Sequence, residues 1–214
     1  TNMTRDEIIA NARKLIYETD SGNSHFTPEE MVAWYEDWHR DVAMWSKWPR
    51  AEATVTGGSI VGQSTYPIDA TKCLEILKVY YNKKPIDMKT VEFLDELDAE
   101  WRTVTNDDPE YAYMMDSDVL GLYPAPKTVA EEIRLRYVKI PNVSTTGLDV
   151  PDVSVSYHIS GGLYIAAQAH RSIGNSDEAD KMDTLYILKK KEVKGAIKSP
   201  ERQQGWDWSG AGTY

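Results

Sequence analysis

The chain holds very little cysteine: one residue, Cys73, among 214. No disulfide or multi-cysteine metal site can form within it, and the composition suits assembly in a reducing cytoplasm. Long apolar runs are missing too, and none approaches the roughly 20 residues of a membrane-spanning helix. Positive charge is scarce. Lys and Arg number 24 against 34 Asp and Glu, a net charge of −10. Such a balance excludes a general nucleic-acid binder, which must neutralise phosphates, and adhesion to an anionic membrane. DNA could still pass close to this surface without being gripped. Phenylalanine is nearly absent, two residues against seven Trp and thirteen Tyr. Aromatics with a polar tip suit half-buried positions and protein contacts.

What is present starts with helix signals. Thr4 and Glu7 form a capping box, followed by Ile8, Ile9, Ala12, Leu15 and Ile16 at helical spacing. Thr27, Pro28 and Glu30 announce a second helix. Its seam is Met31, Tyr35, Trp38, Val42 and Trp45, stepping by three and four residues, with Trp34 and Trp48 off the seam. Pro49 ends it.

From Ala51 to Pro141 the pattern turns to strands. Ala51–Thr56, Gly57-Gly58 and Ser59–Thr65 read as a hairpin. Leu74–Tyr81 reads as a strand, and Asn82–Pro85 as a turn. A short helix follows, with Val91, Leu94, Leu97 and Trp101 on one side. Tyr111, Tyr113 and Met115 alternate, Val119–Tyr123 is a strand, and Ile133, Leu135 and Tyr137 alternate with charged residues.

Helices return after the loop 141–151. Val155, Ile159, Ala166, His170 and Ile173 share a stripe. Gly161, Gly162, Ala166, Ala167 and Ala169 keep that helix thin enough for another backbone to approach. Ala179, Met182, Tyr186 and Val193 face inward on the last helix. The expected architecture is therefore α+β. Residues 1–49 and 142–195 form a helix bundle from both chain ends. Residues 50–141 are an inserted β module with one short helix, and residues 196–214 an extended C-terminal arm.

Residues that could carry chemistry do not group into a recognisable site. His25, His39, His158 and His170 lack the H-x-x-x-H or H-E-x-x-H spacing. His158 and His170, twelve residues apart, would stand about 120° apart around a helix. Asp95, Glu96, Asp98 and Glu100 read as a solvated face rather than an acid–base pair. Cys73 opens an apolar strand and reads as a small buried residue. No phosphate loop, dinucleotide motif or nucleophile elbow occurs. The Trp-rich second helix fits a core or interface seam, and a sugar-binding platform as the other option. Lys189, Lys190, Lys191, Lys194, Lys198 and Arg202 make one basic patch beside an aromatic tail, suited to an acidic partner.

An ordered series of elements carries a resemblance. Tyr66-Pro67-Ile68-Asp69 precedes the strand Cys73–Tyr81, and a segment with Leu94-Asp95 ends at Trp101. Gly121-Leu122-Tyr123-Pro124-Ala125-Pro126 follows, then a strand ending in Tyr137 and the 141–151 loop. Tyr157-His158 opens the small-residue helix, and Ala179 and Tyr186 sit in the last one. Over residues 60–190 the chain resembles the adaptor proteins of phage head–tail connectors, including the tail tubular protein A type of short-tailed phages. The resemblance implies a structural virion protein, not an enzyme, with no catalytic, cofactor or metal residues. It implies a ring, commonly of twelve copies, in the neck below the portal. The partners would be other copies, the portal, a tail-tube or nozzle protein, and genomic DNA passing through the lumen without specific binding. Assembly would take place in the host cytoplasm. The Trp-rich second helix and the Gly/Trp tail depart from a minimal adaptor.

On that footing, Lys198, Arg202, Trp206, Trp208 and Tyr214 are expected to dock on the portal, and Met31, Tyr35, Trp38, Val42 and Trp45 to form the bundle seam. Three other readings make different demands. A tail-tube or tail-completion protein differs in position and stoichiometry. A carbohydrate-binding module needs Trp34 or Trp48 exposed beside a groove. A hydrolase needs His158 or His170 to meet a carboxylate in a pocket.

Overall fold

The computed structural model describes residues 2–17, 25–142 and 146–197. The fold is α+β, with helices at both ends of the chain and a mixed sheet between them. The chain divides into two compact units. Thr1–Ser46 with Pro141–Tyr214 form one, and Lys47–Ile140 the other.

The first unit is helical. α1 (Arg5–Leu15) and α2 (Pro28–Ser46) start where their capping residues stand. The Glu7 N–H donates to Thr4 Oγ1 while Glu7 Oε2 accepts from the Thr4 N–H at 2.8 Å, and Thr27 and Glu30 repeat the exchange. Each box satisfies N–H groups that a helix start leaves without intrahelical partners. α4 (His158–Ser172) packs against α1, α2 and α5 (Ser176–Ile197). Its small residues are the reason. A Cβ added at Gly161 would lie 2.7 Å from Ile8 Cγ2 and 3.1 Å from the Trp38 ring. We expect Gly161→Leu to destabilise the helical unit. Helix propensity returns about 1 kcal/mol, but forcing four heavy atoms into a filled interface costs about 3 kcal/mol. A urea midpoint equal to or above wild type would show that the interface has room.

Part of the expected α4 stripe is corrected. Ala166 and His170 are buried, whereas Val155, Ile159 and Ile173 are exposed. Val155 belongs to a 3-10 turn, Val155–Tyr157, that precedes the α-helix, so it is out of phase with the stripe. Ile173 lies beyond the last helical residue.

The second unit is a seven-stranded sheet in the order β1-β9-β3-β4-β6-β7-β2. The strands are β1 (Arg50–Thr54), β2 (Thr65–Pro67), β3 (Cys73–Tyr81), β4 (Lys84–Met88), β6 (Tyr111–Asp116), β7 (Val119–Tyr123) and β9 (Ile133–Lys139). β5 (Thr105–Asn106) and β8 (Ala125–Pro126) pair separately, and α3 (Val91–Leu97) follows β4. β3 and β4 join through a tight turn in which Asn82 and Lys83 both have positive φ. β9 keeps the clean alternation of its sequence, with Ile133, Leu135 and Tyr137 buried.

The expected hairpin at Gly57-Gly58 does not form. β1 pairs antiparallel with β9, and β2 with β7, at opposite edges of the sheet. Both glycines have positive φ, as in a turn, but the chain then crosses away. Ser59 is buried, its N–H donating to Glu131 O and its carbonyl accepting from the Ala130 N–H. Met115 is corrected as well. It is exposed, because a bulge between Met114 and Asp116 breaks the alternation begun by Tyr111 and Tyr113. Leu97 is likewise half exposed on α3.

Candidate functional site

The histidines are built into the frame. His39 accepts the Asp152 N–H at Nε2, 2.9 Å away, and its ring stacks on Trp38 at 5.9 Å. Burial pushes its pKa down to about 4. His158 accepts the Met3 N–H at Nδ1 and reaches Val153 O with Nε2, so both ring nitrogens are engaged. Its pKa is lowered too, again chiefly by burial. His170 is buried in α4, and its Nδ1 has no hydrogen-bond partner. His25 packs edge-on against Phe26.

Asp95 and Asp98 have structural partners. Asp95 accepts from the Trp101 indole N–H at 2.7 Å and from Arg102 at 2.8 Å, and these bonds hold it below the usual carboxylate range. Asp98 accepts the Glu100 N–H. Burial raises the pKa of the Cys73 thiol, which favours the weakly nucleophilic thiol form. Among the described residues no group of three or more His, Cys, Asp or Glu is placed to hold a metal.

Seam and patch residues sit on one helical unit. Met31, Tyr35, Trp38 and Val42 are fully buried, and Trp45 is partly covered. Trp34 lies beside Phe26 with ring centroids 5.4 Å apart, and Trp48 is about half exposed. Lys190 is not a surface charge. It is buried, 2.5 Å from the Asp41 carboxylate and over the rings of Trp45 and Tyr186. Tyr186 donates to the same carboxylate, and burial raises its pKa well above the usual phenol range. Lys194 caps the Trp45 ring at 4.0 Å. Two of the six expected patch residues, Lys190 and Lys194, thus form a joint between α2 and α5. Lys189 pairs with Glu192, and Lys191 is exposed. The expected docking residues Lys198, Arg202, Trp206, Trp208 and Tyr214 lie outside the described residues.

Sequence reasoning missed two surfaces. On α5, Leu185, Ile187 and Leu188 are each about half exposed. These apolar positions lie around much of the helix, so no single stripe announces them. In the β unit, an open groove of about 470 Å³ runs beside Cys73–Ile76. No described helix is long and apolar enough to cross a membrane.

His39 and His158 are engaged in the frame, many surface charges are cross-braced, and apolar side chains on α5 stay exposed. Residues 3–209 match the family model of the SU10 adaptor protein, and the chain belongs to that family. It is a phage head–tail adaptor, a structural component of the virion. No curated protein matches it.

Proposed function

We propose that this adaptor assembles as a ring of twelve copies in the neck of the particle, joining the portal above to a tail-tube or nozzle protein below. The family match over nearly the whole chain carries this reading. A ring needs two different surfaces that meet on neighbouring copies, and the apolar outer side of α5 offers one. The helical unit and the β unit serve as separate contact bodies, with residues 198–214, beyond α5, as an arm. Native mass spectrometry of the protein bound to its portal tests the stoichiometry. Twelve copies per portal is the expected result, and any other closed number would refute it.

The arm is proposed to dock on the portal through Lys198, Arg202, Trp206, Trp208 and Tyr214. Tryptophan and tyrosine anchor interfaces when they fill pockets, and the cations steer the arm toward an acidic surface. A chain ending at Lys198 should fold with a melting point near wild type yet fail to join portal-bearing heads. Attachment equal to the full chain would end this assignment.

The lumen is proposed to let DNA slide. With a net charge of −10, the ring has few cations to replace the counterions on phosphate. Fluorescence anisotropy with duplex DNA should detect no micromolar binding at physiological salt. A salt-dependent micromolar complex would count against a passive channel.

A further inference from the structure

β4 occupies the lane between β3 and β6, but for only part of its length. Ile86 lies beside Val79, and Met88 beside Ala112. Lys89 still donates its N–H to Ala112 O at 2.8 Å, and the chain then leaves the sheet for α3. Beyond that point β3 continues through Ile76 to Cys73, and β6 continues from Tyr113 to Asp116. Their outer sides are taken by β9 and β7. Among the described residues no strand is in register with them on the inner side.

Where β4 separates β3 from β6, the lane is one strand wide. Two strands that flank a third stand about 9–10 Å apart, twice the inter-strand spacing. A helix, about 10–12 Å across with its side chains, does not fit between those two backbones. Extending the β4 register past Met88 places Cys73–Ile76 opposite Tyr113–Asp116, a lane about four residues long. The 470 Å³ groove is lined from both sides of this lane, by Cys73–Ile76 and by Met114 and Asp116, and also by Ile68 and Ala70 of the β2–β3 connection. Its floor is the open end of the sheet core: Ile68, Cys73, Ile76, Met88 and Met114 are partly buried and pack on the buried cluster. Two of the five are methionines, whose flexible side chains adapt to what lies against them. Asp116 gives the groove an acidic border, whereas Glu75 is already ion-paired with Lys47. Bulges in the β3–β9 pairing at Cys73/Glu75 and Ile76/Lys78 distort the strand there, a common way for a free edge to avoid indiscriminate pairing.

We propose that this lane receives an extended segment of a partner protein, apolar at alternate residues and carrying a basic side chain, which adds as a strand between β3 and β6. Main-chain hydrogen bonds to two edges supply affinity, and the methionine-lined floor selects apolar side chains at every second position. The basic side chain meets Asp116. This inference rests on the adaptor reading in one respect, that the partner is another protein of the particle.

Hydrogen exchange read by mass spectrometry tests it, on the isolated full chain and on purified particles, together with N-ethylmaleimide labelling of Cys73. In the isolated protein the lane-facing amides of 73–76 and 113–116 should exchange quickly and Cys73 should label. In particles those amides should exchange about 100-fold more slowly, and Cys73 should resist labelling. Amides already slow in the isolated chain would overturn the proposal, because the lane would then be filled from within. So would unchanged exchange in particles, with or without loss of Cys73 labelling. The same peptides report whether the protein is in the particle at all. Its absence would sink the adaptor reading, whereas its presence with an unprotected lane would sink the strand addition alone.

Discussion

Trp38→Ala should cost the helical unit about 3–5 kcal/mol, the range for emptying a large aromatic site in a packed core. Trp38 is 0% exposed, and its ring lies 5.5 Å from Tyr35 and 5.9 Å from His39, close to the bare Gly161 backbone. The indole N–H also donates to Ser160 Oγ at 3.2 Å. The cavity decides the magnitude, not that bond. Ser160 keeps its own donation to Tyr157 O at 2.6 Å, so the substitution strands no buried donor, and a net hydrogen bond contributes about 1 kcal/mol. Trp38→Phe, which refills most of the space and gives up the bond, should therefore lose far less than Trp38→Ala. A thermal melt should fall by more than about 10 °C for the alanine variant. A melt matching wild type would remove Trp38 from the core.

Acid should loosen the same unit through His39. Its folded pKa is about 4, against an ordinary value of 6.5, because burial penalises the charged ring. The unfolded chain therefore binds a proton more readily than the folded one, and stability falls as pH drops. The contribution is complete above pH 6.5 and is lost as pH falls from there toward 4. The full gap corresponds to about 3 kcal/mol. Between pH 7.5 and 5.0 the loss is about 2 kcal/mol. His158, also lowered by burial, acts in the same direction. Protonation would also abolish the acceptor that His39 Nε2 offers the Asp152 N–H. His39→Gln keeps an acceptor and cannot titrate. Urea unfolding of the variant at the two pH values should show a smaller difference than wild type. An equal difference would place the acid sensitivity elsewhere.

Features set by neighbours in sequence were legible before the structure. The Thr4–Glu7 and Thr27–Glu30 boxes are complete within four residues, and β9 shows its buried face by alternation alone. The α+β class and the helices at both ends follow from the same periodicities. The failures share a different cause. Gly57-Gly58 looks like a hairpin turn, but the partner of β1 is a strand some 80 residues later in the chain, and local pattern does not encode that choice. Lys190 reads as one of a basic run until Asp41, 149 residues away, is brought beneath it. Periodicity put Val155 on the α4 stripe because it cannot see that a 3-10 turn resets the phase. The groove in the β unit was wholly invisible. A missing strand has no residues of its own, and only the paired registers of β3, β4 and β6 outline it.

The pairing of β1 with β9 sets an order of assembly. Arg50 sits opposite Val138, and the Lys139 N–H donates to Pro49 O at 2.9 Å, so the chain enters and leaves the β unit side by side. The helical unit needs α4 and α5, synthesised after the β unit, to cover α1 and α2, synthesised before it. Left as a random coil, the intervening segment would impose an entropic cost on that reunion that grows with the logarithm of its length. Once folded, the β unit holds its two ends together and removes most of that cost. It is fully synthesised before α4 begins, and so can act as a clasp that closes the chain ahead of the bundle. A change that weakens β1–β9 pairing should therefore slow formation of the helical unit, although it touches none of its contacts.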